Sequence, residues 1–149
     1  DMALFLFAEA MRKGEPINVF NHGKMIRDFT YVADIVESIR RLVVKPPQSN
    51  TEWDGSLPRI DKSSAPYRIF NIGNGSPVEL MSYINAVEVA LGVQGQYNMM
   101  DIQPGDVPAT HADTEALNEY IGFRPETSVE DGVNQFIRWY KEYYDYSDT

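Results

Sequence analysis

Several residue types and motifs that define common active sites are missing from this sequence. It contains no cysteine, which excludes disulfide bonds, thiolate nucleophiles and thiolate metal sites. The only histidines are His22 and His111, which disfavours a multi-histidine metal site. No apolar run approaches the roughly 20 residues that cross a bilayer. Lys and Arg number 13 against 22 Asp and Glu, and this net charge of -9 argues against nucleic acid or an anionic membrane as a partner.

The sequence also lacks the usual cofactor and catalytic motifs. Gly73 and Gly75 are followed by Val78 where the third glycine of a Gly-x-Gly-x-x-Gly dinucleotide motif should stand. There is no Gly-Lys-Ser/Thr phosphate loop and no Gly-x-Ser-x-Gly elbow. No tyrosine lies four residues before any lysine, which excludes a Tyr-x-x-x-Lys pair on one helix face. From its own residues, the chain has no credible catalytic machinery.

What is present is typical of one globular domain. The 149 residues suit a single hydrophobic core, and 43% hydrophobic with 23% charged residues is near the average for folded proteins. Apolar spacing and the positions of Gly and Pro predict a helix-rich α/β fold with short strands. Helices are predicted over residues 2–13, 34–44, 78–91, 114–120 and 129–144, and short strands over residues 17–20, 29–32, 67–72 and 96–100.

Three local features refine this prediction. The helix over residues 2–13 is apolar enough to be buried on most sides. Asp34 and Ser128 are predicted N-caps. Residues 45–66 are rich in Pro, Ser, Asn and Asp, and a loop of about twenty residues is long enough to be suspected of a function or of disorder.

The segment after Gly23 places two cations three residues apart, Lys24 and Arg27. An arginine offers a planar fork of donors that suits a phosphate group, with lysine as a point charge nearby. The alternative, which spacing alone favours, is that Arg27 forms a structural ion pair with Asp28 or Asp34.

Gln103-Pro104-Gly105-Asp106 predicts a stiff turn that ends in a carboxylate. An ionised carboxylate only accepts hydrogen bonds, so Asp106 suits the two hydroxyls of a ribose or another vicinal diol. The alternative, favoured by the residues alone, is that Asp106 serves only the turn or a cap.

Several segments, in their order along the chain, resemble the C-terminal half of an extended short-chain dehydrogenase/reductase that acts on nucleotide sugars, within the NAD-dependent epimerase/dehydratase family. The Gln-Pro-Gly-Asp-Val run and the opening Asp-Met-Ala-Leu-Phe are most similar to the UDP-glucuronate 4-epimerases. The segments that carry the resemblance are Arg-Asp-Phe-Thr-Tyr-Val-x-Asp at 27–34, Phe-Asn-Ile-Gly at 70–73, Gln-Pro-Gly-Asp-Val-Pro at 103–108, and Gly-Phe-Arg-Pro-x-Thr at 122–127.

This resemblance implies that residues 1–149 form one domain that binds a nucleotide sugar carrying UDP. It also implies that an N-terminal Rossmann domain, absent from this sequence, binds NAD and carries the catalytic Ser/Thr, Tyr and Lys. We therefore expect neither a catalytic nor a cofactor-binding residue in this chain, and we expect the chain alone to be inactive.

The resemblance also implies roles for individual residues. Arg27 would hold the diphosphate and Asp106 the ribose hydroxyls. Gln103 stands where related hexose epimerases often have an arginine near the diphosphate, which weakens its role as a charge partner.

The resemblance also implies which residues contact the uracil base and which line the nucleotide. Val19 and Phe20 would meet the uracil, largely through their main chain. Met2 and Ala3 begin the segment that usually lines the nucleotide.

The implied reaction of the longer enzyme is the NAD-dependent conversion of UDP-glucuronate to UDP-galacturonate. NAD removes a hydride from C4, the 4-keto sugar rotates, and the hydride returns to its other face. The resemblance further implies a cytoplasmic homodimer with partners limited to the UDP-sugar and the Rossmann domain. The alternatives are a related dehydratase, decarboxylase or hexose epimerase, and a nucleotide-binding module without chemistry.

Overall fold

The computed structural model describes residues 3–145 and confirms the predicted fold class, with five helices and short strands. No helix in that range is both long and apolar enough to span a bilayer. The helices are α1 Ala3–Lys13, α2 Val32–Val44, α3 Leu80–Leu91, α4 Glu115–Ile121 and α5 Val129–Tyr143; the strands are β1 Pro16–Val19, β2 Ile26–Arg27, β3 Val78–Glu79 and β4 Gln96–Met99.

The ends of the helices follow from capping chemistry. The Ser128 side chain accepts a hydrogen bond from the Asp131 N–H at 3.0 Å, so the predicted cap of α5 is confirmed. After α1, Gly14 adopts a φ of 68°, and the Glu15 N–H donates to the Ala10 carbonyl at 2.9 Å to close the end of the helix. The predicted cap at Asp34 is wrong, because α2 begins at Val32 and places Asp34 in its first turn.

Two of the predicted strands are wrong, and one predicted helix begins later than expected. Residues 29–31 form no strand, and the Phe29 ring instead stacks on the Tyr83 ring, with 3.8 Å between centroids. Within residues 67–72 only Arg68 makes a bridge, with Lys62. An apolar run becomes a strand only where a neighbouring ladder satisfies its backbone groups. Residues 78–79, predicted as helix, pair with β2 as β3.

The described residues divide into two compact units. The first unit contains residues 3–29, 76–111 and 127–145. Within it, β1 pairs in parallel with β4, and β2 pairs in antiparallel fashion with β3. Its core consists of buried apolar residues from α1, β1, α3 and α5: Phe7, Ala8, Met11, Ile17, Val19, Tyr83, Ile84, Ala86, Val87, Leu91, Val133, Ile137 and Tyr140.

Only one face of α1 is buried. Phe7, Ala8 and Met11 enter the core, whereas Leu6 is 54% exposed and Phe5 36% exposed. The prediction that this helix is buried on most sides is therefore wrong for the described residues. The sequence does not distinguish the buried face from the exposed face, because both carry apolar residues.

The second unit contains residues 30–75 and 112–126, with α2, α4 and the predicted loop 45–66. The Phe70 ring stacks on the Tyr120 ring, with 5.0 Å between centroids. The Arg41 guanidinium lies 4.6 Å from the centre of the Phe123 ring and donates to the Gly122 carbonyl at 3.0 Å. Cation–aromatic contacts thus supplement a small apolar core in this unit.

We expect Gly23→Ala to destabilise the first unit by about 2 kcal/mol, more than Gly14→Ala does. Both glycines have positive φ, 78° and 68°, which costs an alanine about 1 kcal/mol or more. A Cβ at Gly23 would also lie 2.8 Å from Cγ of Met81, whereas at Gly14 no atom lies within 4 Å. Urea unfolding measures both losses, and equal losses would show that the Met81 contact relaxes freely.

We expect the ion pairs of Glu37 to make the second unit sensitive to acid. Hydrogen bonds from Arg40 and Arg41 lower the pKa of the Glu37 carboxyl from 4.5 to about 2. Because the folded-state pKa is depressed, this stabilisation is complete above pH 4.5 and is lost as the pH falls through 2. The Tm difference between wild type and Glu37→Gln should therefore shrink between pH 4.5 and 2. A difference that stays constant over that window would contradict the assignment.

Candidate functional site

A cleft of about 600 Å³ opens in the first unit beside α1 and β1. Its lining includes Ala3 from α1 and Phe20 from the turn after β1, together with Arg27 and Asp106. Four of the seven residues predicted to bind substrate therefore share one cleft. A volume of this size is in the range of small-molecule sites.

Main-chain hydrogen bonds bring the segment that carries Asp106 alongside β2. The Ile26 N–H donates to the Pro108 carbonyl at 2.8 Å, and the Thr110 N–H donates to the Ile26 carbonyl at 3.1 Å. These bonds hold the chain after Asp106 against the residue that precedes Arg27. Two residues 79 positions apart in sequence are thus adjacent in the fold.

Arg27 and Asp106 form an ion pair in the cleft. Nη2 of Arg27 donates to Oδ1 of Asp106 at 2.9 Å, and the two side chains are 22% and 34% exposed. Nη1 of Arg27 also donates to the Ile26 carbonyl at 2.9 Å, which fixes the plane of the guanidinium. Arg27 therefore forms an ion pair with Asp106, a partner that the alternative prediction did not name.

The predicted turn before Asp106 is confirmed. The Asp106 N–H donates to the Gln103 carbonyl at 3.1 Å, and Gly105 at the third position has a φ of 86°. Proline at the second position and a positive φ at the third are typical of a type II turn. Gln103 thus closes the turn through its main chain, and its side chain does not line the cleft.

Asp106 has one oxygen engaged and one available. Its Oδ1 accepts from Arg27 and also from the Val107 N–H at 3.1 Å. No hydrogen bond from the described residues reaches Oδ2. The carboxylate is thus oriented by its neighbours while it keeps acceptor capacity for a ligand.

Along β1, the side chains of Ile17 and Val19 are buried and those of Pro16 and Asn18 are exposed, and Pro16, Ile17 and Asn18 all line the cleft. The Val19 side chain is fully buried, and the Val19 carbonyl accepts from the Met100 N–H at 3.0 Å beside β4. Successive peptide groups of a strand point to opposite edges, so those of Asn18 point away from β4. Asn18 lines the cleft but was not among the residues predicted to bind substrate. A polar residue between the apolar Ile17 and Val19 is typical of a half-buried strand, and this alternation could have identified it.

The structure adds a second cation to the cleft. Lys13 lines it and donates from Nζ to Oε1 of Glu9 at 2.8 Å, four residues earlier on α1. This hydrogen bond raises the pKa of Lys13 and lowers the pKa of Glu9. The i,i+4 spacing was visible in the sequence, but nothing there linked it to Arg27. Met2, another predicted binding residue, lies outside the described residues.

Comparison with known proteins agrees with the resemblance. Residues 1–73 match the sequence model of the NAD dependent epimerase/dehydratase family. The chain is 54% identical to Protein CapI of Staphylococcus aureus and 44% identical to the probable UDP-glucuronate 4-epimerase of Rhizobium meliloti strain 1021. Each alignment covers 97% of this chain, with 43% of CapI and 42% of the Rhizobium protein.

A solved structure confirms the fold. The UDP-glucuronic acid 4-epimerase of Bacillus cereus, in complex with UDP-glucuronic acid and NAD, is 23% identical and superposes with a TM-score of 0.77. The match covers 97% of this chain and 41% of that one. This chain thus spans about two fifths of the length of the curated relatives it matches. By these matches the chain is assigned to the NAD dependent epimerase/dehydratase family, as its sequence motifs predicted.

Proposed function

We propose that the cleft of the first unit binds the UDP portion of a UDP-sugar, as part of an NAD-dependent UDP-glucuronate 4-epimerase. The observation that carries this proposal is the Arg27–Asp106 pair, a fork of donors beside an oriented acceptor in one cleft. A diphosphate joined to a ribose requires these two functions next to each other. The 44% identical Rhizobium relative, named a probable UDP-glucuronate 4-epimerase, supports the choice of reaction.

Arg27 would hold the diphosphate with the donors that Asp106 and the Ile26 carbonyl leave unused. A guanidinium has five N–H groups; these two oxygens take one each, and Nη2 also donates to Sδ of Met25 at 4.0 Å. Charge-assisted hydrogen bonds from the rest to phosphate oxygens are shorter and stronger than neutral ones. Such local charge is needed because the whole chain, at -9, repels an anionic ligand.

Asp106 would accept from the ribose hydroxyls through Oδ2. Its pairing with Arg27 offsets the repulsion that a carboxylate would otherwise exert on the diphosphate. One ion pair therefore orders both groups before the ligand arrives, which reduces the cost of binding.

The uracil would lie along the edge of β1 that faces away from β4, where none of the described strands pairs with it. The peptide groups of Asn18 point to that edge, and Phe20 supplies an aromatic side chain to the same cleft. We therefore propose that the main-chain contacts come from Asn18 rather than Val19, whose carbonyl is engaged by Met100, and that Phe20 contributes its side chain. Ala3, at the start of α1, would form the adjoining wall.

The family implies NAD, and the described residues do not fit it. A dinucleotide site needs a glycine-rich turn from a strand directly into a helix, whose N–H groups meet the pyrophosphate. Gly73 and Gly75 lie in a segment without helix, followed by β3 before α3 begins at Leu80. NAD binding and hydride chemistry are therefore proposed for residues other than those described.

The test is to incubate the full-length protein with UDP-glucuronate and to identify the product by mass spectrometry and NMR. Formation of UDP-galacturonate, with unchanged mass, is the expected result. Loss of water would indicate a dehydratase, and loss of carbon dioxide would indicate a decarboxylase. Titration with UDP and with uridine-free pyrophosphate checks the binding step, and absence of UDP binding would reject the proposal.

A further inference from the structure

A second pocket, of about 530 Å³, lies entirely within the second unit. It is formed by the end of α2, the loop over residues 45–66 and Tyr120 of α4. Lys45, Lys62 and Arg68 line it, and none of the described residues around it is an aspartate or a glutamate. Three positive charges without a negative one are unexpected in a chain with a net charge of -9.

Elsewhere in the same unit, arginines pair with carboxylates. Arg40 and Arg41 share Glu37, and Arg59 donates two hydrogen bonds to Asp61 at 2.9 and 3.0 Å. None of the three cations of the pocket forms a salt bridge with a carboxylate among residues 3–145, although the charge of Lys62 contributes to lowering the pKa of Asp61. Among the described residues, no direct ion pair therefore neutralises their positive charge.

Arg68 is rigidly placed and incompletely satisfied. Its guanidinium lies 4.5 Å from the centre of the Phe70 ring and 4.7 Å from that of Tyr120. Its Nε is buried and has no hydrogen-bond acceptor among the described residues. A buried donor without an acceptor is destabilising, and native proteins rarely keep one without a reason.

The other two cations increase the local positive charge. Lys62 lies opposite Arg68 in an antiparallel bridge, an arrangement in which like charges repel. Lys45 lies 4.8 Å from the centre of the Tyr120 ring, and its ammonium group donates to the Tyr120 carbonyl. Lys45 and Arg68 therefore both contact the Tyr120 ring, and this shared contact keeps their positive charges close together.

We propose that this pocket binds a small anion of the phosphate type. Such an anion would offset the repulsion between Lys62 and Arg68, which both line the pocket. Arginine and lysine are the side chains that proteins use for phosphate recognition. No residue lines both this pocket and the UDP cleft.

The test is calorimetric titration of the full-length protein with inorganic pyrophosphate. We expect Lys62→Gln and Arg68→Gln each to weaken binding at least fivefold. Arg59→Gln is the matched control, because it removes one charge from the same loop at a residue outside the pocket. It should change the affinity less than twofold. If Arg68→Gln does not fold, Lys62→Gln still decides.

A second control separates this pocket from the UDP cleft. The pyrophosphate affinity attributed to the pocket should persist in Arg27→Ala and with UDP at saturation. Loss of all pyrophosphate binding under either condition would overturn the proposal, as would equal affinities in Lys62→Gln and Arg59→Gln. Citrate that binds more tightly than pyrophosphate, or an acidic peptide that binds where pyrophosphate does not, would also overturn the assignment to phosphate.

Discussion

Arg27→Ala is expected to raise the Kd of the full-length protein for UDP by about ten- to a hundredfold. The substitution removes the donors for the diphosphate, and hydrogen bonds to charged groups contribute roughly 1.5–3 kcal/mol each. It also leaves Asp106 without the ion pair that offsets its charge. The remaining carboxylate would then repel the diphosphate. Isothermal titration with UDP measures the effect.

Lys24→Ala is the matched control for Arg27→Ala. It removes the same charge three residues away, but Lys24 is exposed and does not line the cleft. We expect a change of less than twofold in the Kd for UDP. Arg27→Lys should recover only part of the affinity, because an ammonium group cannot reproduce the planar fork. An Arg27→Ala protein with unchanged UDP affinity and a lower Tm would show that the Arg27–Asp106 pair is purely structural.

The sequence predicted the helices better than the strands, for a physical reason. A helix satisfies its own backbone, so the apolar spacing of residues 129–144 and the Ser128 cap suffice to define α5. A strand depends on a partner elsewhere in the chain. The pairing of β2 with β3 joins two segments of two residues each, too short for any periodicity to reveal.

The contacts within the candidate site were also not predictable from the sequence. Arg27 and Asp106 were each predicted to meet the ligand, but nothing in the sequence indicated that they contact one another. Their pairing depends on the bonds from Ile26 to Pro108 and Thr110, which are main-chain contacts independent of side-chain identity. Asn18, by contrast, could have been found from the alternation along β1.

The structure of residues 45–66 also depends on tertiary contacts. Its composition predicted a loop, and the structure has it as turns and irregular chain with a bridge at Lys62. That bridge places Lys62 opposite Arg68. No pattern in the local sequence predicts this pairing. Sequence reasoning could therefore suspect a function here but could not identify the cationic pocket.

Asp106→Asn is expected to raise the Kd for UDP by about tenfold, with little change in Tm. The asparagine can keep its Oδ1 on Arg27 and the Val107 N–H while an amide group replaces Oδ2. The ribose then meets a donor where it had an acceptor, and Arg27 loses a charged partner. Because the Gln103–Asp106 turn is closed by main-chain groups, the substitution leaves its geometry intact.

Pyrophosphate provides the internal control for Asp106→Asn, because it has no ribose. Its affinity for the UDP cleft should change less than that of UDP, since only the charge beside Arg27 differs for this ligand. The comparison is made in Lys62→Gln protein, so that the proposed second pocket contributes little. A residue that served the turn alone would give the opposite pattern, in which Tm falls and UDP affinity survives. Equal losses for the two ligands would place Asp106 near the diphosphate rather than the ribose.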